Sequence, residues 1–186
     1  KEASEKFGKV KFDLVSKVKD GKVYADQGII AGCSGGLFDN ICEAAAILDG
    51  KSTGNSYFNL SVYPTSVPVS IALTENGSTR KLLEAGAVIK PSFCGPCFGA
   101  GDVPANNGFS LRHTTRNFPN REGSKPGERQ LAGVALMDSR SIAATAANGG
   151  VVTAATDIEY DSKEMPYTFD QTVYKNRVYN GYGNPQ

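Results

Sequence analysis

Cys33 lies in the run Gly28-Ile-Ile-Ala-Gly-Cys-Ser-Gly-Gly36, and the pair Cys94-Gly-Pro-Cys97 follows far along the chain. Three thiolates suit a metal cluster. An iron–sulfur cube has one iron at each of its four metal corners, so a protein that offers only three sulfurs leaves one iron open to water or a substrate oxygen. That arrangement turns an electron-transfer cofactor into a Lewis acid.

Two other chemistries use the same residues. A Cys-Gly-Pro-Cys tetrapeptide is also the reactive element of thioredoxin-like dithiol redox proteins, with Cys94 and Cys97 as the pair. That use wants a helix after the first cysteine to lower its pKa, whereas Phe98-Gly-Ala-Gly-Asp-Val-Pro-Ala-Asn-Asn-Gly108 has the composition of a loop. A structural zinc site would need a fourth ligand, and Cys42 or His113 would have to reach the triad to supply it.

The elements that must position these thiols follow from the apolar spacing. Gly28–Gly32 has the pattern of a short buried strand; after a glycine turn, Leu37, Ile41, Ala44, Ala45 and Leu48 recur at helical spacing up to Gly50. Phe58–Tyr63 alternates as a strand, Pro64–Pro68 breaks it, and Val69–Ala85 predicts a helix with a weak spot at Asn76-Gly77. Strands are then expected at Ala87–Lys90, Phe109–His113 and Gly133–Met137, and a small-residue helix at Ser139–Ala147, ended by Asn148-Gly-Gly150. This alternation predicts an α/β fold, a three-layer α/β/α sandwich with a mainly parallel sheet. The domain is expected over 27–157, between an irregular N-terminal segment, 1–26, and a linker, 158–186. In such sheets ligands gather outside the carboxyl ends of the strands. Cys33, Cys94, Cys97 and Arg116 all fall just after predicted strands, and their sulfurs are expected to meet on that rim.

The 186 residues, 40% of them apolar, make one domain with a real core. Twenty Lys and Arg against 19 Asp and Glu give a net charge of +1, so no nucleic-acid or anionic-membrane partner is advertised. No apolar run approaches the ~20 residues of a membrane span, and the first residues lack a signal core, which points to the cytoplasm. There, four cysteines are expected as reduced thiols or metal ligands. The chain starts without Met and ends in the loop-like Tyr179–Gln186, as a piece of a longer protein would. A single histidine is sparse equipment for acid–base chemistry.

Four segments in order carry a resemblance: Ala31-Gly-Cys-Ser-Gly-Gly-Leu-Phe-Asp39, Cys94-Gly-Pro-Cys97, Thr115-Arg-Asn-Phe-Pro-Asn-Arg121 and Ser141–Ala147. They resemble the G-S-C-T-N, C-x-x-C, N-R-N-F-x-G-R and small-residue helix of the aconitase and isopropylmalate isomerase large-subunit family. The match runs from about residue 27 to 157. The resemblance implies a hydro-lyase in which Cys33, Cys94 and Cys97 hold a [4Fe–4S] cluster and reversibly dehydrate a hydroxy acid carrying two or three carboxylates. Arg116 and Arg121 then bind substrate carboxylate in a forked geometry that lysine cannot copy. The chain matches only the cluster-bearing third domain of that family, so the isolated piece is expected to be inactive without the remaining domains. In air its exposed cluster is expected to be lost, leaving Cys94 and Cys97 able to pair. Non-catalytic relatives that bind metal or RNA are an alternative, which the absence of a basic patch does not favour.

Departures from the pattern fall beside the ligands. Ser34-Gly35 replaces Thr-Asn after the first cysteine, and Thr115 replaces the Asn before the first arginine; such neighbours orient and tune a metal group. Cys42 is expected as a packed thiol within a helix, and His113 in strand packing or a hydrogen bond. The bland reading for Arg112, Arg116 and Arg121 is solvated charge around a loop. Arg112, outside the motif, is expected to matter least.

Overall fold

The computed structural model describes residues 12–54, 57–116 and 131–177. Among the described residues a 3-10 turn at Val15–Lys17 leads into a hairpin of β1 (Val18–Lys19) and β2 (Lys22–Val23), followed by β3 (Gln27–Ile30), α1 (Gly32–Gly35) and α2 (Phe38–Leu48). Next come β4 (Asn59–Val62), α3 (Val67–Glu75), α4 (Ser78–Ala85) and β5 (Val88–Ile89). Beyond a single 3-10 turn at Gly95–Cys97 lie β6 (Phe109–His113), β7 (Gly133–Leu136), α5 (Ser139–Ala147) and α6 (Thr172–Arg177). Strands β3 to β7 make one sheet in the order β5-β4-β3-β6-β7, with every neighbouring pair parallel. The expected α/β class with a parallel sheet holds.

The two faces of the sheet are filled differently, and the period of two along each strand explains how. Ile30, Leu60, Val62, Phe109 and Leu111 point to one side, where they form a single apolar core with Ile41, Ala44, Ala45 and Leu48 of α2 and Ile142, Ala143 and Ala146 of α5. Small side chains on α2 and α5 let the two helices pack closely, and Gly28 faces them because a Cβ there would stand 2.9 Å from both Ile142 and Phe58. The alternate residues, Gln27, Ser61, Ser110 and Arg112, are buried on the other side beside Ile29, Ala31 and Tyr63. That second face is largely polar.

Local chemistry sets the element ends. Ser66 Oγ accepts from Val69 N at the start of α3, and Asp138 caps α5 by accepting from the backbone N–H groups of Arg140 and Ser141, each at 3.1 Å. The helix expected over 69–85 is two helices: Asn76 ends α3, and Gly77 turns left-handed with φ 83°, a conformation that costs glycine least. The irregular segment expected over 1–26 contains the β1–β2 hairpin, tied onward by Ala25 N donating to Gly150 O at 2.8 Å. In the segment expected as a linker, Tyr160 and Ser162 donate to the Glu43 carboxylate of α2 at 2.6 and 2.8 Å, the Tyr167 ring packs at a tilt against Phe38, and α6 forms. Among the described residues no helix is long and apolar enough to cross a membrane.

His113, the last residue of β6, helps dock α5. Its Nδ1 accepts from Ser139 N at 3.1 Å and lies 2.6 Å from Ser139 Oγ, so the imidazole is held neutral with the proton on Nε2. Burial pushes its pKa below 6.5, partly offset by Asp138. A histidine whose folded pKa is depressed gives up its contribution to stability as pH falls through the unfolded value of 6.5 towards the folded one. Wild type is therefore expected to melt at progressively lower temperature from pH 7 to pH 5. In His113→Gln that dependence should flatten, with the stability deficit of the variant largest at pH 8. An unchanged pH slope would show that His113 is not held neutral.

Candidate functional site

The order of the strands creates a crevice. From β3 the chain moves outward through β4 to β5 and then jumps back across the sheet to β6, so the connections leave the carboxyl ends of β3 and β6 in opposite directions. This is the switch point at which open α/β sheets bind ligands. Cys33 follows β3 here, and Thr115 and Arg116 follow β6.

Close packing fixes the turn that carries Cys33. Gly32 has φ 77°, and a Cβ on it would lie 3.1 Å from Cys97 Sγ and 3.5 Å from Thr115 Oγ1. A Cβ on Gly35 would overlap the His113 carbonyl oxygen, and one on Gly36 would press on the Tyr63 carbonyl oxygen at 2.3 Å. Only glycines allow α1 to sit down on β6 and β4 so tightly. In this chain any side chain at position 35 would meet the backbone at the end of β6.

The cysteines converge on this rim. Cys33 and Cys94 are exposed and Cys97 is buried; all are free thiols. Burial raises the Cys94 pKa most, followed by the charge and hydrogen bond of Cys97 and then the charge of Cys33, so the other two sulfurs both act on Cys94. Cys33 Sγ lies 2.9 Å from Thr115 Oγ1, which in turn donates to Ser34 Oγ at 3.4 Å. The two altered polar neighbours thus touch each other and the first cysteine. A cavity of about 200 Å³ opens between Cys33 and Cys94, lined also by Gly32, Thr65 and Ser92. Among the described residues the buried Ser92 hydroxyl has no hydrogen-bond partner.

These observations bear on which metal group could fit. Among the described residues no three His, Cys, Asp or Glu side chains are gathered closely enough to hold one metal ion. A single zinc draws its sulfurs to ~2.3 Å from one centre, whereas in a cube each protein sulfur binds a different iron and the sulfurs stand apart. Cys42 supplies no fourth ligand: it is buried in α2 with Asn76 Nδ2 and Ser78 Oγ donating to its sulfur at 3.3 and 3.6 Å. His113 is committed to Ser139. The dithiol redox chemistry is poorly served, because the Cys94 pKa is raised and the chain after it makes one 3-10 turn, Gly95–Cys97, in place of a helix. Three thiols on one rim beside an orphaned hydroxyl donor fit a sulfur-rich anionic cluster.

Of the arginines, Arg116 is exposed at the crevice, in a turn closed by Thr114 Oγ1 donating to Arg116 O at 3.0 Å. Arg121 lies outside the described residues. Arg112 corrects the expectation of solvated charge: it is 2% exposed. Its Nη1 donates to Pro96 O at 2.8 Å, Nη2 to Asp102 O at 3.2 Å and Nε to Ser110 Oγ at 3.1 Å. Ser92 and Arg112 were not singled out by motif. The signal for Arg112 is the alternation Phe-Ser-Leu-Arg in β6, which puts it opposite two core residues.

A family profile described as the aconitase family (aconitate hydratase) matches residues 1–144. A 3-isopropylmalate dehydratase large subunit 2 of Pyrococcus furiosus is 40% identical over 111 residues, 59% of this chain and 28% of the relative. The corresponding large subunit of Nitratidesulfovibrio vulgaris is 33% identical over 140 residues, 75% of this chain and 31% of the relative. That of Thermococcus kodakarensis is 38% identical over 119 residues, 63% of this chain and 30% of the relative. The chain therefore spans about a third of the length of these curated relatives.

Gly32 and Gly50 separate backbone strain from packing at the site. Both have positive φ, but a Cβ on Gly50 meets nothing within 4 Å. Gly50→Ala should cost about 1–2 kcal/mol from the left-handed backbone alone. Gly32→Ala should cost measurably more in denaturant unfolding, because its Cβ also presses on Cys97 Sγ. Equal costs would mean that Cys97 does not pack against the Cys33 turn.

Proposed function

Because this chain belongs to the aconitase family, we propose that it is the part of a hydro-lyase that holds a [4Fe–4S] cluster on Cys33, Cys94 and Cys97. The observation that carries this reading is the placing of three free thiols at the switch point, with Cys33 and Cys94 lining one cavity and Cys97 packed against Gly32 beside Cys33. When bound, the cluster supplies an iron free of protein sulfur, a Lewis acid for a substrate hydroxyl.

The chain's own residues would prepare that site. Thr115 Oγ1 shares a hydrogen bond with Cys33 Sγ, and the unpartnered Ser92 hydroxyl is a donor for an anion in the cavity. Such outer groups orient ligands and tune their basicity. Arg116, exposed beside Cys33, grips a substrate carboxylate with two parallel N–H groups, and Arg121 is proposed to do the same. His113 is held neutral by Ser139, so the proton transfers are assigned to parts of the enzyme outside this chain. The relatives are named for 3-isopropylmalate and as large subunits. On that ground the proposed substrate is a hydroxy acid with two or three carboxylates, and the proposed partners are the remaining domains or subunits of a cytoplasmic enzyme.

Anaerobic reconstitution of the chain with iron and sulfide should give visible sulfur-to-iron absorption and about four iron per chain. Cys33→Ala, Cys94→Ala and Cys97→Ala should each abolish it, while Cys42→Ala keeps it. In air, with Cys33 and Cys94 exposed, the absorption should bleach. In a longer protein carrying this chain, Arg116→Lys should lower turnover about tenfold to a hundredfold with the spectrum intact, the cost of one charge-assisted hydrogen bond. Absorption that survives Cys33→Ala would refute the three-thiol assignment.

A further inference from the structure

We propose that Arg112 is a positioning residue for the thiol set, a buried clamp that fixes the Cys94–Cys97 loop against β6. The guanidinium bridges two points of that loop, Pro96 O and Asp102 O, on either side of Gly99 and Gly101, whose φ values are 84° and 85°. Pro96 O belongs to the same rigid peptide plane as Cys97 N, so holding the carbonyl at 2.8 Å fixes the orientation of the peptide that carries Cys97. The far end is held twice, since Tyr63 OH also donates to Asp102 Oδ2 at 2.7 Å.

The clamp is itself braced from the sheet. Arg112 Nε donates to Ser110 Oγ, and Ser110 Oγ donates to Gln27 Oε1 at 2.8 Å across the β3–β6 pair. Three residues beyond Arg112 on the same stretch, Thr115 contacts Cys33 Sγ. One strand end therefore sets all three thiols relative to one another: Arg112 through the loop of Cys94 and Cys97, Thr115 through Cys33. Arginine suits the task because its rigid guanidinium spreads donors to two carbonyls and to Ser110 Oγ in one fixed plane, a geometry that lysine's compact ammonium does not match. The residue lies outside the four short segments that carry the resemblance. Its use for cluster binding rests on the reading above, but the clamp itself is tested without a cluster.

Cys42 and Cys97 are both buried, at 7% and 8% exposure, and give an internal comparison. In Arg112→Gln and Arg112→Lys, alkylation of Cys97 by iodoacetamide, mapped by mass spectrometry, should speed up about tenfold to a hundredfold. That is the local opening expected from the loss of a charge-assisted hydrogen bond. Cys42 should keep its wild-type rate, and amide exchange should rise over 94–103 but not over α2. Iron bound on anaerobic reconstitution should fall in parallel. Equal acceleration at Cys42 and Cys97, unchanged reactivity at both, or failure of both variants to fold would overturn the proposal, because Arg112 would then support the whole core or nothing in the loop. If wild type binds no cluster while Cys97 alone is unmasked in the variants, the clamp stands and the cluster reading fails.

Discussion

The structure depends on the side-by-side pairing of β3 and β6. Their four registered pairs, Gln27 with Ser110 through Ile30 with His113, place two strands that are distant in sequence in parallel contact. Because the chain leaves them in opposite directions, their outgoing turns cannot pack over one another and a crevice opens between them. The turn after β3 must then fit against the end of β6. Gly35, with no room for a Cβ against the His113 carbonyl, shows how little tolerance that fit has. Cys33 and Thr115 meet because the sheet leaves them no alternative.

The second consequence of the same pairing is a division of labour between the faces. The helical face is apolar and continuous, and its burial supplies the main driving force for the fold. The opposite face holds Gln27, Ser61, Ser110 and Arg112, polar groups that would be costly if unpaired. Gln27, Ser110 and Arg112 are satisfied by one another and by carbonyls of the 90–108 connection. Apolar packing would hold that connection at many loosely equivalent positions. Directional bonds to Pro96 and Asp102 hold it at one. Tyr63 adds to this, its phenol kept protonated by burial and by the Asp102 carboxylate it donates to.

Much of this was legible in the sequence. The run Phe109–His113 marked β6, and the small residues of Ser139–Ala147 closed by Asn148-Gly-Gly150 marked α5, because both signals are local. The glycine-rich turns located the thiols. The break at Gly77 was visible only as a weak spot, since deciding between a kinked helix and two helices depends on how α3 and α4 each pack on α2. The β1–β2 hairpin was hidden because four polar and apolar residues carry no periodicity of their own and are ordered by pairing. Arg112 was misjudged for the opposite reason. Its charge suggested solvent, while its place in a strand with Ser110 and Gln27 defined a buried polar layer that only the sheet register assembles.

Family membership and the geometry of the rim support the proposal that Cys33, Cys94 and Cys97 act as a single ligand set. Anomalous scattering from iron in crystals of the protein reconstituted and grown anaerobically tests it most directly. The account predicts iron density bonded to all three sulfurs at the carboxyl ends of β3 and β6, with Arg112 still bridging Pro96 and Asp102. Iron bound by Cys94 and Cys97 alone, with the Cys33 sulfur left hydrogen-bonded to Thr115, would contradict it.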